Sequence, residues 1–180
     1  MKAKKPKGKQ PKEGKAGKRG GRPQATRDEH QGDTYRHKGK GGEIKRPEPT
    51  VCSRCKAVYH DGRWVWSKVA NPTGTAVLCP ACERIRDNYP AGEVRISGDF
   101  AREHRDEILS RVRHVEEREK AEHALNRLME IRDDGDDVVV TTTDVHLAHA
   151  IGTALHDAFK GELDAPWGQK GDLTRVKWSR

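Results

Sequence analysis

Four cysteines are the residues of this chain whose type and spacing speak most directly of chemistry. They form two pairs of identical spacing, Cys52-Ser-Arg-Cys55 and Cys79-Pro-Ala-Cys82, with 23 residues between the pairs. A two-residue gap lets both sulfurs of a tight knuckle face one ion, while backbone N–H groups screen the thiolates. Two knuckles then supply the four ligands Cys52, Cys55, Cys79 and Cys82 of a closed tetrahedral Zn²⁺ site. The interval between the pairs is slightly longer than the usual window of about 15–20 residues, so the connecting hairpin is expected to be generous. Four thiolates leave no coordination position for water, so the expected ion holds the fold and does not catalyse.

Two other uses of such pairs compete. Two disulfides would suit a secreted chain, but no apolar run follows the basic N-terminus, so no export signal is expected. A redox CxxC would follow a strand and open a helix in a βαβ unit, whereas Cys52 follows a polar stretch. His60 lies near the knuckles and reads as an exposed loop histidine. A second cluster, His146, His149, Thr153 and His156, falls along one helix face with Asp144 nearby. It could hold a metal or serve an enzyme. It lacks the nearby glutamate that would act as general base, and a polar helix face needs no ligand to explain it. No P-loop, GxGxxG turn or GxSxG elbow follows any strand.

The elements that must position these residues can be read in turn. Arg63 to Trp66 and Thr75 to Leu78 are expected to be the strands of a hairpin, with Asn71-Pro72-Thr73-Gly74 as its turn. Glu83 to Asp87 is expected to be a short helix ended by Pro90. Val94 to Ile96 reads as a strand, and Phe100 to about His123 as a helix capped by Asp99, with a charged, solvent-bridging C-terminal half. Leu128 to Arg132 and Val138 to Thr143 read as a hairpin across an acidic turn, although the first arm reads equally well as the end of the preceding helix. A helix from Val145 to Lys160 follows, capped by Asp144 or Thr143 and ended by Gly161, with an apolar stripe of Leu147, Ala148, Ile151, Ala154, Leu155 and Ala158. Thr174 to Trp178 closes the chain as a strand with Thr174, Val176 and Trp178 on one face. The expected fold is small α+β: a four-cysteine zinc ribbon, treble-clef-like, then a helix and a ββαβ unit, with a disordered basic N-terminal arm. The expected divisions are 1–50 for arm and linker, 51–93 for the zinc module and 94–180 for the α+β module.

Composition sets the limits. Of 180 residues, 36% are charged, against roughly 25% in typical globular proteins. Leu, Ile, Val and Phe number 29, and residues 1–50 hold one of them, Ile44. A core so poor in large aliphatic residues needs a staple. No stretch approaches the roughly 18 apolar residues of a membrane span, so a soluble, cytoplasmic protein is expected. The charge divides the same way: residues 1–50 carry +10 and residues 51–180 carry −2, together the +8 of the chain. Ten cations, Lys2, Lys4, Lys5, Lys7, Lys9, Lys12, Lys15, Lys18, Arg19 and Arg22, stand in the first 22 residues with one anion, Glu13. A polycation without an apolar face cannot offset its own ordering entropy, and it gains affinity for polyanions by counterion release. RNA is the expected partner; a lipid surface is not, because no Leu, Phe or Trp accompanies the lysines.

Three segments, CSRCKAVYHDGRWVW, CPACERIRDNYPAGEV and VVVTTTDVHLAHAIGTALHDAFKGEL, resemble a bacterial family of small zinc-ribbon proteins without an assigned activity. That family is distantly similar to the N-terminal part of the archaeal and eukaryotic nonsense-mediated-decay-type adaptor that exports the large ribosomal subunit. The bacterial resemblance covers most of residues 52–178. The adaptor family usually carries more CxxC pairs than the two present here. The resemblance implies that Cys52, Cys55, Cys79 and Cys82 are metal ligands, and it points to a ribosomal particle as the target. The resulting expectation is a non-enzymatic RNA-binding protein. Its arm would attract RNA, ribosomal above all, with ribosomal proteins nearby. Arg54, Lys56, Arg63 and Lys68, with Trp64 or Trp66 as a stacking surface, would position the folded part. One of those tryptophans is expected in the core. The competing expectation is a protein-interaction adaptor with a solubilising tail.

Overall fold

Short strands beside the knuckles and longer ones after residue 90 sort the chain into two sheets in the computed structural model, which describes residues 46–69, 71–167 and 173–180. The described residues form a mixed α+β protein with four helices, and the expected basic arm lies outside them. The first sheet has four strands of three residues, β1 (Thr50–Cys52), β2 (Val58–His60), β3 (Arg63–Val65) and β4 (Thr75–Val77), in the order β3-β2-β1-β4. Thr50, expected in the linker, is instead the buried first residue of β1.

The hairpin expected between Arg63–Trp66 and Thr75–Leu78 does not form. β3 pairs antiparallel with β2, in the register His60↔Arg63, and β4 runs parallel to β1, with Cys52 opposite Val77. The reason is local. Asp61 and Gly62 both adopt positive φ, 49° and 74°, as a two-residue type I′ turn requires, and its twist matches that of antiparallel strands. Glu48 fastens this turn by accepting hydrogen bonds from Asp61 N and Gly62 N. Helix α1 (Pro80–Asp87) begins earlier than expected, with Cys79 at its N-cap. Pro80 takes a first-turn position where its missing N–H costs nothing. The helix ends on Asn88 in the left-handed conformation, before Pro90 is reached.

The second sheet has the order β6-β7-β5-β9-β8. Its strands are β5 (Gly92–Ser97), β6 (Leu128–Asp134), β7 (Asp137–Thr142), β8 (Glu162–Asp164) and β9 (Thr174–Ser179). β5 lies between β7, antiparallel, and β9, parallel, and its strict alternation of burial sends Val94 and Ile96 to one face beside Val176 and Trp178. That face is covered by α3 (Arg105–Glu122), through Ile108, Leu109, Val112 and Val115, and by α4 (Val145–Phe159), through Leu147, Ala148, Ile151 and Leu155. The β6–β7 hairpin closes as expected, with Asp134 opposite Asp137.

Three expectations need correction here. The helix from Phe100 is two helices, α2 (Asp99–Glu103) and α3, separated at His104, whose φ and ψ are −108° and 25°. Asp99 does not cap it: Gly98 holds that position, and the Asp99 carboxylate pairs with Arg102. Ala158 is exposed, because the helix turns it past the edge of the apolar stripe. By contrast, the Asp144 cap of α4 forms, its Oδ1 accepting from His146 N at 2.8 Å. β8 departs from the sequence expectation altogether, since three residues with one apolar side chain give no periodic signal.

The contact of α4 with β9 is made at a glycine. A Cβ at Gly152 would stand 2.6 Å from Val176 Cγ1 and 3.0 Å from Leu163 Cδ1. In an exposed helix, Gly→Ala is favourable by about 1 kcal/mol. Here the added methyl overpacks the core, which typically costs about 1–3 kcal/mol. Gly152→Ala is therefore expected to lower stability by roughly 1 kcal/mol net in urea titrations. A gain would show that α4 can lift from the sheet.

Candidate metal centre

The apolar residues fall into two clusters. The larger lies between the five-stranded sheet and its helices; the smaller comprises Cys52, Ala57, Trp64, Cys79, Ala81, Cys82 and Ala124. The cysteines are at its heart. Cys52 ends β1, Cys55 closes the first knuckle, Cys79 occupies the N-cap position of α1 without a side-chain capping bond and Cys82 stands in its first turn. One atom of each lies within 4.8 Å of the others, and Cys55 and Cys79 Sγ are 3.7 Å apart. Four Zn–S bonds of about 2.3 Å in a tetrahedron would set sulfurs roughly 3.8 Å apart, so the spacing suits one mononuclear ion. The knuckle screening expected from the sequence is present: Cys55 N and Cys79 N approach Cys52 Sγ at 3.5 and 3.3 Å. The geometry is compatible with a bound metal ion.

Three of the thiols are pulled apart in pKa by their surroundings. The pKa of the Cys55 thiol is lowered to about 4, first by its hydrogen bond with Cys79 and further by Ala57 N–H and Arg127, against burial. The same hydrogen bond, then burial, pushes Cys79 up; burial first and then the negative charge of Cys55 push Cys82 up. Thiolates this close repel one another, and a divalent ion among them would relieve that repulsion.

One residue of the centre has no signal in the sequence. Arg127, 7% exposed, donates from Nη2 to Cys55 Sγ at 3.1 Å and from Nη1 to Cys82 Sγ at 3.3 Å. Nη2 also lies 3.9 Å from Cys79 Sγ, so the fork touches Cys55 of the first pair and both cysteines of the second. Its remaining reach is spent on Ala124 O, from Nε and Nη2, and its guanidinium carbon lies 5.2 Å from the centre of the Trp66 ring. An isolated arginine in Ala-Leu-Asn-Arg-Leu offers no spacing rule; its apolar surroundings are the only hint.

The other expected contact residues divide. Arg54, Lys56, Arg63 and Lys68 are exposed. Trp64 is the buried tryptophan, 8% exposed, with Tyr59 tilted against it and Arg46 over its ring, so it offers no free face for stacking. Trp66 is partly buried and donates from Nε1 to Lys120 O at 2.5 Å. Lys56, Trp66 and Lys68 line one open cleft of about 260 Å³, together with Cys55, Ser67, Val69 and Pro72. Lys2, Lys4, Lys5, Lys7, Lys9, Lys12, Lys15, Lys18, Arg19 and Arg22 lie outside the described residues. His60 is exposed in β2 beside Glu48 and Asp61. Among the described residues, Asp144, His146 and His149 do not converge as ligands. Asp144 is occupied as a cap, and the His149 ring is stacked at 3.7 Å on that of Trp167, with burial holding its pKa below the usual histidine value.

No protein-family model, curated protein or solved structure matches this chain. No helix among the described residues is long and apolar enough to cross a membrane.

Proposed function

We propose that this chain is a zinc-stabilised, cytoplasmic RNA-binding protein that acts on the ribosome or a ribosomal particle. Zn²⁺ held by Cys52, Cys55, Cys79 and Cys82 makes the first sheet and α1 a treble-clef-like frame. The observation that carries the RNA reading is the concentration of charge: +10 in residues 1–50 against −2 in the remainder. Solubility does not require ten cations in 22 residues, and a phosphate backbone rewards them by counterion release. The cleft beside the metal centre adds a place for the folded part to act. Lys56 and Lys68 are its phosphate partners and Trp66 its aromatic surface. The ribosome as target follows from the resemblance of the cysteine and α4 segments to the zinc-ribbon family and, through it, to the subunit-export adaptor.

The test is binding of nucleic-acid-free protein to ribosomal RNA fragments and to ribosomal particles across a range of salt. Affinity is expected to fall steeply with salt, log K losing about 0.7 per phosphate contact for each tenfold rise on single strands. Deletion of residues 1–22 is expected to flatten that slope. A chain that shows no salt-dependent affinity, with or without those residues, would sink the RNA reading.

A further inference from the structure

Arg127 stands where the two halves of the protein meet. Its backbone belongs to the second half: Arg127 N donates to Thr143 Oγ1 and Thr143 N donates to Arg127 O, both at 3.0 Å, at the end of β7. Its guanidinium belongs to the first half, spanning Cys55 and Cys82. Ala124 and Leu125, from the same segment, pack in the cysteine cluster, and Trp66 is tied to the end of α3 through Lys120 O.

We propose that Arg127 is the positioning residue of the metal centre and the clasp by which the five-stranded sheet recognises the metal-loaded first half. The proposal rests on the metal reading of the four cysteines. A divalent ion with four thiolates carries a charge of −2, and Cys52, Cys79 and Cys82 are no more than 1% exposed. A buried charge of that size is costly unless paired, and so is a buried guanidinium. Each therefore depends on the other. An arginine fork can reach a sulfur of both pairs at once, which a single ammonium cannot. Because the strand end fixes its backbone, Arg127 converts coordination at the sulfurs into docking of the two halves. Loss of the ion then strands the guanidinium and releases the contact.

The experiment uses the full chain, loaded with zinc, and the variants Arg127→Lys and Arg127→Met. Zinc affinity is read by competition with a chromogenic chelator, and docking by hydrogen exchange at residues 120–127 and 64–66. Arg127→Met is expected to lose about 10–100-fold in zinc affinity, the usual effect of removing a group that supports metal ligands. Arg127→Lys should lie between it and the parent, because it keeps the charge but not the fork. In both, exchange at 120–127 should rise while zinc remains bound, with the Val94 and Val140 amides still protected. If the side chain merely fills space, Met will match or exceed Lys in affinity, and the clasp is overturned. Parental affinity and exchange in both variants would overturn it as well. A parent chain that binds no zinc removes the metal reading beneath it, a distinct result.

Discussion

Cys79→Ser is expected to unfold the four-stranded sheet and α1 while the five-stranded sheet stays folded. Of the seven buried residues in the smaller cluster, three are cysteines and three are alanines, leaving Trp64 as its one large buried side chain, with Tyr59, Trp66, Leu78 and Leu125 packed against it only partly buried. Burial on this scale cannot offset the ordering of about forty residues, at roughly 1–2 kcal/mol of backbone entropy each. On the proposed zinc reading, coordination supplies what is missing, since structural zinc contributes about 10–16 kcal/mol of apparent free energy in isolated fingers. Serine keeps the size of the side chain but gives no thiolate at neutral pH. The variant should bind less than one zinc per chain by elemental analysis. Amides of β1 to β4 should exchange at solvent rates, with those of β5, β7 and β9 still protected. Chelation of the parent should reproduce the pattern. Native protection across β1 to β4 in the variant would mean that something other than the ion holds this half together.

The metal site is legible because CxxC spacing is a local rule: two residues between sulfurs form the same knuckle whatever follows. The pairing of the strands around it is not legible in the same way. Thr75 to Leu78 reads as a strand, but the partner of the observed β4 is β1, which begins in the linker, and parallel pairing leaves no turn signal between them. The Asp61-Gly62 turn is a usable signal, with alternating residues on both sides, yet the Asn-Pro-Thr-Gly stretch is the more obvious one. In the second half, β5, β9 and α4 carry clear periodicity because each has one face in a real core, and β7 is legible as a continuous β-branched run that is buried along almost its whole length. The break at His104 and the short β8 carry none. Arg127 illustrates the deepest limit. It contacts the cysteine cluster from 45 positions beyond the last cysteine, and only the fold brings it there.

Trp178→Ala should strike the other half. Trp178 is fully buried in β9, opposite Ile96 of β5 on one side and Leu163 of β8 on the other. Its indole Nε1 donates to Lys160 O at 2.8 Å, just past α4, and its ring meets that of Phe159. Truncation removes the largest fully buried side chain among the described residues, opens a cavity and strips a donor from the Lys160 carbonyl. A loss of about 3–5 kcal/mol is expected. Small domains have only about 5–15 kcal/mol in total, so the variant should be close to unfolded at about 37 °C. Trp178→Phe keeps most of the volume and forfeits mainly the hydrogen bond, at about 1 kcal/mol. Urea titration of both variants measures these losses. Zinc should still bind the alanine variant at one ion per chain, but more weakly, because a melted β7 no longer holds Arg127 against Cys55 and Cys82. Full parental zinc affinity in that variant would mean that the sheet does nothing for the metal. Complete loss of zinc would mean that the two cores cannot fold apart, and that the selective unfolding expected of Cys79→Ser is wrong too.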